Sequence, residues 1–241
     1  MNKRILGLIL CTALAAAGVL TWRWEAARED AAAAVPVVTG RAGTLILDAG
    51  HGGEDGGAVS VTGAAESQIN LAIVLKLDSV LGFCGEAPVL LRGEDVSLHD
   101  SGAVTLREKK VSDLQNRAEL VQGVEGGTLL SIHQNSYPDG RYRGAQTFYA
   151  ATDGSMSLAE HIQAALIATL QPENSRQAKP VEGAVYLMSH VSCPAVLVEC
   201  GFLTNPEEEA LLRDGGYQRK LALVLASAWL TAPEEAGAAE R

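Results

Sequence analysis

Four ionisable residues, His51, Glu66, His133 and Glu199, stand at the ends of segments that read as regular structure. His51 lies inside Asp48-Ala49-Gly50-His51-Gly52-Gly53-Glu54-Asp55-Gly56-Gly57, whose glycines let backbone approach a ligand or metal closely. A phosphate loop is excluded there, because no Gly-Lys-Ser/Thr follows and Asp55 holds the place of the third glycine of G-x-G-x-x-G. Glu66 opens a helix, where the dipole favours its ionised form; taken alone it reads as an ordinary acidic first turn. His133 ends a strand, and alone reads as a hydrogen-bonded structural histidine. Glu199 follows the buried run Ala195-Val196-Leu197-Val198, where a carboxylate is costly unless paired or metal-bound. Together the four make a sharper signal. Two His and one Glu recur as a catalytic zinc set that leaves a position for water. Zinc lowers the pKa of that water toward ~7. A further Glu can then take its proton and return it to a leaving nitrogen. The spacing is not H-E-x-x-H, so a thermolysin-type site is excluded.

The elements that must position these residues alternate strand and helix. Thr44–Leu47, Pro88–Arg92, Thr128–Ile132 and Ala195–Val198 read as strands, and Ala145–Ala150 as a half-exposed one. Glu66–Leu81, Asp113–Gln122, Ser157–Leu170, Glu207–Arg213 and Tyr217–Leu230 read as helices. The expected fold is α/β: a mixed, mostly parallel twisted sheet with helices on both faces, preceded by an N-terminal anchor or signal segment. Ligands of such sheets sit beyond the carboxyl ends of the strands, where the four residues fall.

The apolar run from Ile5 to Trp22 follows Lys3 and Arg4 without a charge. Its length, ~27 Å as a helix, suits a bilayer-spanning anchor with the rest of the chain outside. A cleaved signal peptide with an Ala-rich cleavage site is the alternative. Both export the domain. The expected division is 1–24 as anchor or signal peptide, 25–43 as linker, 44–231 as catalytic domain and 232–241 as a frayed tail. The formal net charge of -10 argues against nucleic acid as a partner. The four Cys contain no C-x-x-C pair, which excludes zinc ribbons. Cys193 and Cys200, ~20 Å apart along an extended segment, cannot bridge and read as buried thiols.

Leu45–Gly53, Glu66, Ser131–Asn135 and Pro194–Pro206 resemble the four signature blocks of the zinc-dependent N-acetylmuramoyl-L-alanine amidases, in the right order over Thr44 to Leu230. The resemblance implies Zn2+ held by His51, Glu66 and His133, with Glu199 as the catalytic acid/base. It implies hydrolysis of the amide between N-acetylmuramic acid and L-alanine of the stem peptide in peptidoglycan. The membrane-proximal layout and Tyr186-Leu187-Met188-Ser189-His190 are similar to the germination-specific amidases of spore formers, which act on the spore cortex. Asn135, Arg117 and His190 are the expected substrate contacts. Ala49, Gln134 and Ser189 depart from the family pattern, Ser189 standing where many members carry an Arg that lines the substrate. No inhibitory helix is evident between Ala150 and Ala184, so any restraint on activity is expected from another protein, a candidate activator. Asp48 and Glu54 are expected to orient the His51 imidazole. His99 and His161 show no evident partner in the sequence, nor does His190 beyond its expected contact with substrate. Two alternatives stand beside the amidase: a zinc carboxypeptidase, which would want an Arg for a free carboxylate, and a non-catalytic wall-binding protein, which would have lost a ligand or the base.

Overall fold

The computed structural model describes residues 43–182 and 185–233. The expected anchor at 5–22, the linker up to residue 42 and the tail beyond residue 233 lie outside the described residues. Among the described residues no helix is long and apolar enough to cross a membrane.

The elements run β1 (Thr44–Ala49), α1 (Glu66–Phe83), β2 (Val89–Leu90), α2 (Leu106–Gln122), β3 (Gly127–Asn135), β4 (Gln146–Tyr149), α3 (Ser155–Thr169), β5 (Lys179–Pro180), α4 (Tyr186–Ser189), β6 (Ala195–Phe202), α5 (Pro206–Arg213) and α6 (Gly215–Thr231). The six strands form one sheet in the order β2-β1-β3-β6-β4-β5. All neighbours are parallel except β4 and β6. The central strands are nearly continuous apolar runs because helices cover both their faces. On one face Leu45, Leu47, Leu130, Ile132, Val196 and Val198 pack with α1, α3, α5 and α6. On the other, Ile46, Leu129, Ala195 and Leu197 pack with α2 and α4. The expected fold class therefore holds for the described residues.

Several bounds differ from expectation for local reasons. The helix expected to begin at Asp113 begins at Leu106, because Thr105 and Glu108 form a reciprocal capping box. The strand expected over Pro88–Arg92 shrinks to Val89–Leu90. β3 and β6 run past their apolar stretches, to Asn135 and Phe202, since their backbone ladder continues through the polar residues. His133 and Glu199 are thus neighbours in register within the sheet. β4, expected half-exposed, has Gln146 and Thr147 buried, because β5 and β6 flank it. β5 and α4 were not anticipated; a two-residue strand and a one-turn helix carry too little periodicity to read. Asn205 caps α5 and Pro206 fills its first turn.

Candidate metal centre

His51 leaves β1 at its carboxyl end, His133 sits near the end of β3, and Glu66 is the first residue of α1. One ligand atom from each of these three lies within 4.8 Å of the others. Glu66 faces both rings: its Oε2 lies 3.4 Å from His51 Nε2 and its Oε1 3.0 Å from His133 Nδ1. The two imidazoles meet edge to face with centroids 5.0 Å apart. Glu66 is 3% exposed and is aimed by the N–H groups of Ala58 and Gln134, which donate to Oε2 and Oε1 at 2.9 and 3.1 Å. Burial opposes its charge, but the two histidines outweigh that and hold the carboxyl far below its usual range. Burial likewise opposes a charged His51, yet hydrogen bonds to Asp55 and Glu66 raise it to about 9. A carboxylate and two imidazoles so disposed form a nitrogen-oxygen-nitrogen donor set for a divalent cation, and the residues present fit one.

The glycines leave room for this set. A Cβ on Gly50 would strike the His133 ring, and one on Gly57 would lie 2.6 Å from Glu66 Oε2 and 2.7 Å from His51 Cδ2. His51 itself has φ 62, in the left-handed region that residues other than glycine seldom adopt without a constraint from their surroundings. Two buried arginines supply that constraint. Arg117 pairs with Asp48 and with Asp113, at 2.7 Å, and donates to the carbonyls of Ala49 and His51 at 3.1 and 2.7 Å. Arg92 donates to the carbonyls of Ala49, Gly50 and Ser67 at 2.7, 3.1 and 2.9 Å. The backbone of residues 49–51 is thus gripped from behind, leaving the His51 side chain to project toward Glu66. Asn70 adds a donor to Gly50 O at 3.1 Å and another to Glu66 Oε1 at 3.3 Å, and Gln134 donates to Asn70 in turn.

Glu199 stands beside His133 on β6. Its Oε2 is buried without a hydrogen-bond partner among the described residues. Burial pushes its carboxyl up to about 7, with His133 acting against the shift. Glu199 also lines a cavity of about 290 Å³ together with Gln146, Phe148, Leu197, Lys179 and Glu182. A half-buried carboxyl that titrates near neutrality beside a cation site is equipped to take and return a proton.

The structure brings His51, Glu66, His133 and Glu199 together and distributes the other expected site residues differently. Arg117, expected to touch substrate, is 1% exposed with its guanidinium engaged by protein, so its place is behind the His51 loop. Asn135 ends β3, where its backbone carbonyl accepts from Leu203 N at 2.8 Å. His190 is exposed, stacks on Tyr186 at 3.8 Å and pairs with Tyr186 O at 2.8 Å. His99 and His161 also have partners, Ser97 Oγ at 2.8 Å and Thr231 Oγ1 at 3.1 Å. The residue that orients His51 is Asp55, 3.0 Å from Nδ1, and neither Asp48 nor Glu54. Asp48 is turned under the sheet edge toward Arg117 and Ser131, and Glu54 outward to Lys109. Asp55 lies four residues after His51, a spacing that could have marked it; Arg92 left no such signal. Cys84, Cys193 and Cys200 are free thiols, exposed, half-buried and buried in turn.

The N-acetylmuramoyl-L-alanine amidase family model matches residues 45–229, most of the chain and all four residues of the centre. The chain belongs to this family. Its activity is therefore that of an N-acetylmuramoyl-L-alanine amidase, a hydrolase. Among similar sequences, the germination-specific N-acetylmuramoyl-L-alanine amidase of Bacillus subtilis is 35% identical over 179 residues, covering 74% of each chain. Among solved structures, the CwlD amidase from Clostridioides difficile in complex with the GerS lipoprotein is 39% identical, with a TM-score of 0.73 over 77% of this chain and 95% of that one. An N-acetylmuramoyl-L-alanine amidase from Clostridium difficile 630 is 31% identical, with a TM-score of 0.67 over 79% of this amidase and 96% of that chain. The matched span, residues 45–229, takes in the strand ends and helix start that build the centre.

Proposed function

We propose that this amidase is zinc-dependent, with His51, Glu66 and His133 as ligands and Glu199 as the general acid/base, and that it removes stem peptides from peptidoglycan. The observation that carries this reading is the clustered His-Glu-His donor set with the unpartnered Oε2 of Glu199 at its side. Zinc held by His51, Glu66 and His133 would supply Lewis acidity toward the substrate carbonyl and an acidified water. Glu199 accepts the proton of the attacking water as the new C–O bond forms on the lactyl carbonyl. It then passes that proton to the alanine nitrogen as the C–N bond breaks, leaving a lactyl carboxylate and a free L-alanine amine. Asp55 holds His51 in one tautomer, and Arg117 and Arg92 hold its backbone.

The similarity to a germination-specific amidase supports spore-cortex peptidoglycan as the substrate setting. The C. difficile relative, solved in complex with a lipoprotein, supports a partner protein that activates this one. Action on the wall supports a domain that works outside the cytoplasm, and the apolar run at residues 5–22 would serve as its anchor or signal. The carboxypeptidase alternative gains nothing from the arginines near the centre, since Arg117 and Arg92 are buried and committed. The test is reconstitution of the full chain: chelation abolishes hydrolysis of a muropeptide, and one equivalent of zinc restores it. Full activity in a chain shown to hold no metal would overturn the reading.

A further inference from the structure

The cavity beside Glu199 is floored by a regular patch of sheet. Glu199 pairs with Gln146, and in the next row Leu197 pairs with Phe148, which pairs with Lys179. In-register partners point to the same face, so Lys179 stands on the cavity side with Gln146 and Phe148, all three of which line it. Glu182 lines the same cavity. Neither Lys179 nor Glu182 makes an ion pair among the described residues. A cavity carrying one free charge of each sign suits a zwitterionic peptide better than a neutral glycan. In a chain of net charge -10, a free lysine there is also a local attractor for an anion.

We propose that this cavity takes the leaving side of the substrate and that Lys179 is a specificity-determining residue, binding the carboxylate one residue beyond the scissile amide. This rests on the amidase reading above. The stem peptide runs from L-alanine into a glutamate joined through its side-chain carboxyl, which leaves an α-carboxylate on that second residue; amidated walls carry a neutral amide there. The spacing fits. Lys179 lies two strands and two residues from Glu199, ~12 Å between Cα atoms by ordinary strand geometry. With the leaving nitrogen at Glu199, the carboxylate carbon sits ~6 Å further along an extended chain. The remaining gap of about 6 Å is what a lysine stem spans. Phe148 and Leu197 give the L-alanine methyl an apolar floor.

The test uses the metal-loaded full chain, as wild type, Lys179→Ala and Lys179→Glu. Two muropeptides, with the second-residue carboxylate free or amidated, are compared by kcat/KM, and binding of the free stem peptide is titrated separately. The wild type is expected to prefer the free carboxylate by about 2- to 5-fold. Lys179→Ala levels that preference and Lys179→Glu reverses it, while far-UV circular dichroism, thermal unfolding and metal content matching the wild type show both variants folded. A preference that survives in Lys179→Ala overturns the proposal and leaves the amidase intact. Lys179-dependent peptide binding without cleavage of either muropeptide would keep the cavity assignment and overturn the amidase reading. Cleavage with no peptide binding and no preference would place the glycan, and not the peptide, in the cavity.

Discussion

At the scale of single residues, the proposed mechanism rests on two neighbouring carboxyls held in different ionisation states. Glu66 is held ionised by two histidines and backbone donors, whereas Glu199, a register neighbour of His133, is lifted to about 7 by burial. A base must be ionised, so the rate is expected to fall as pH drops through the Glu199 pKa; a bound dication lowers that pKa, which places the acid limb of the pH–rate profile at or below about 7. Glu199→Gln should cut kcat by about 10²–10⁴-fold. Its metal content, read by atomic absorption, should match wild type, and a parallel loss of metal would make Glu199 a ligand instead. Asp55→Ala should weaken metal affinity by about 10–100-fold, because it frees the His51 imidazole. Competition with a chromogenic chelator measures that change.

At the scale of elements, the carboxyl ends of β1 and β3 and the start of α1 converge, and buried arginines fix the loop between them. Arg117→Met leaves Asp48 and Asp113 without their cation, and breaking such a buried pair costs about 3–5 kcal/mol. Urea denaturation should show that loss, with metal affinity falling as well because the His51 carbonyl is released. Gly57→Ala places a methyl against Glu66 and His51 at a φ of +69, so it should lower metal affinity far more than it lowers stability. These elements also show what could be read from the chain alone. His51, Glu66, His133 and Glu199 were legible because each interrupts an apolar run at an element end, where a charge needs a reason. Arg117 was visible as a residue but misplaced, since its role depends on Asp48, 69 positions away. Arg92 acts 43 residues from Ala49 on a carbonyl that has no side-chain signature, and was not read at all. The start of α2 was missed because its apolar stripe is weak and the capping box at Thr105 and Glu108 decides it.

At the scale of the whole molecule, two cores clamp one sheet and leave its edge to carry the chemistry, so occupancy of the centre should be felt in global stability. In the metal-free chain, His51 has a folded pKa of about 9, above the ordinary 6.5 of a histidine; its contribution is present below 6.5 and is lost as pH rises through 9. Glu199, with a folded pKa of about 7 against 4.5, favours the folded state less as pH rises from 4.5 to 7. Glu66 and Asp55, held low, lose their contribution only in acid. The stabilisation of the fold by zinc, measured as a shift in Tm, should therefore be larger at pH 8.5 than at pH 6.5, since the cation replaces protons that the site gives up over that range. The central claim is most directly tested by digesting purified peptidoglycan with the full chain and analysing the soluble products by mass spectrometry. The account predicts stem peptides with new L-alanine amino termini, released only with metal present and lost in Glu199→Gln. Release of single amino acids from the peptide ends, or release unchanged in Glu199→Gln, would contradict it.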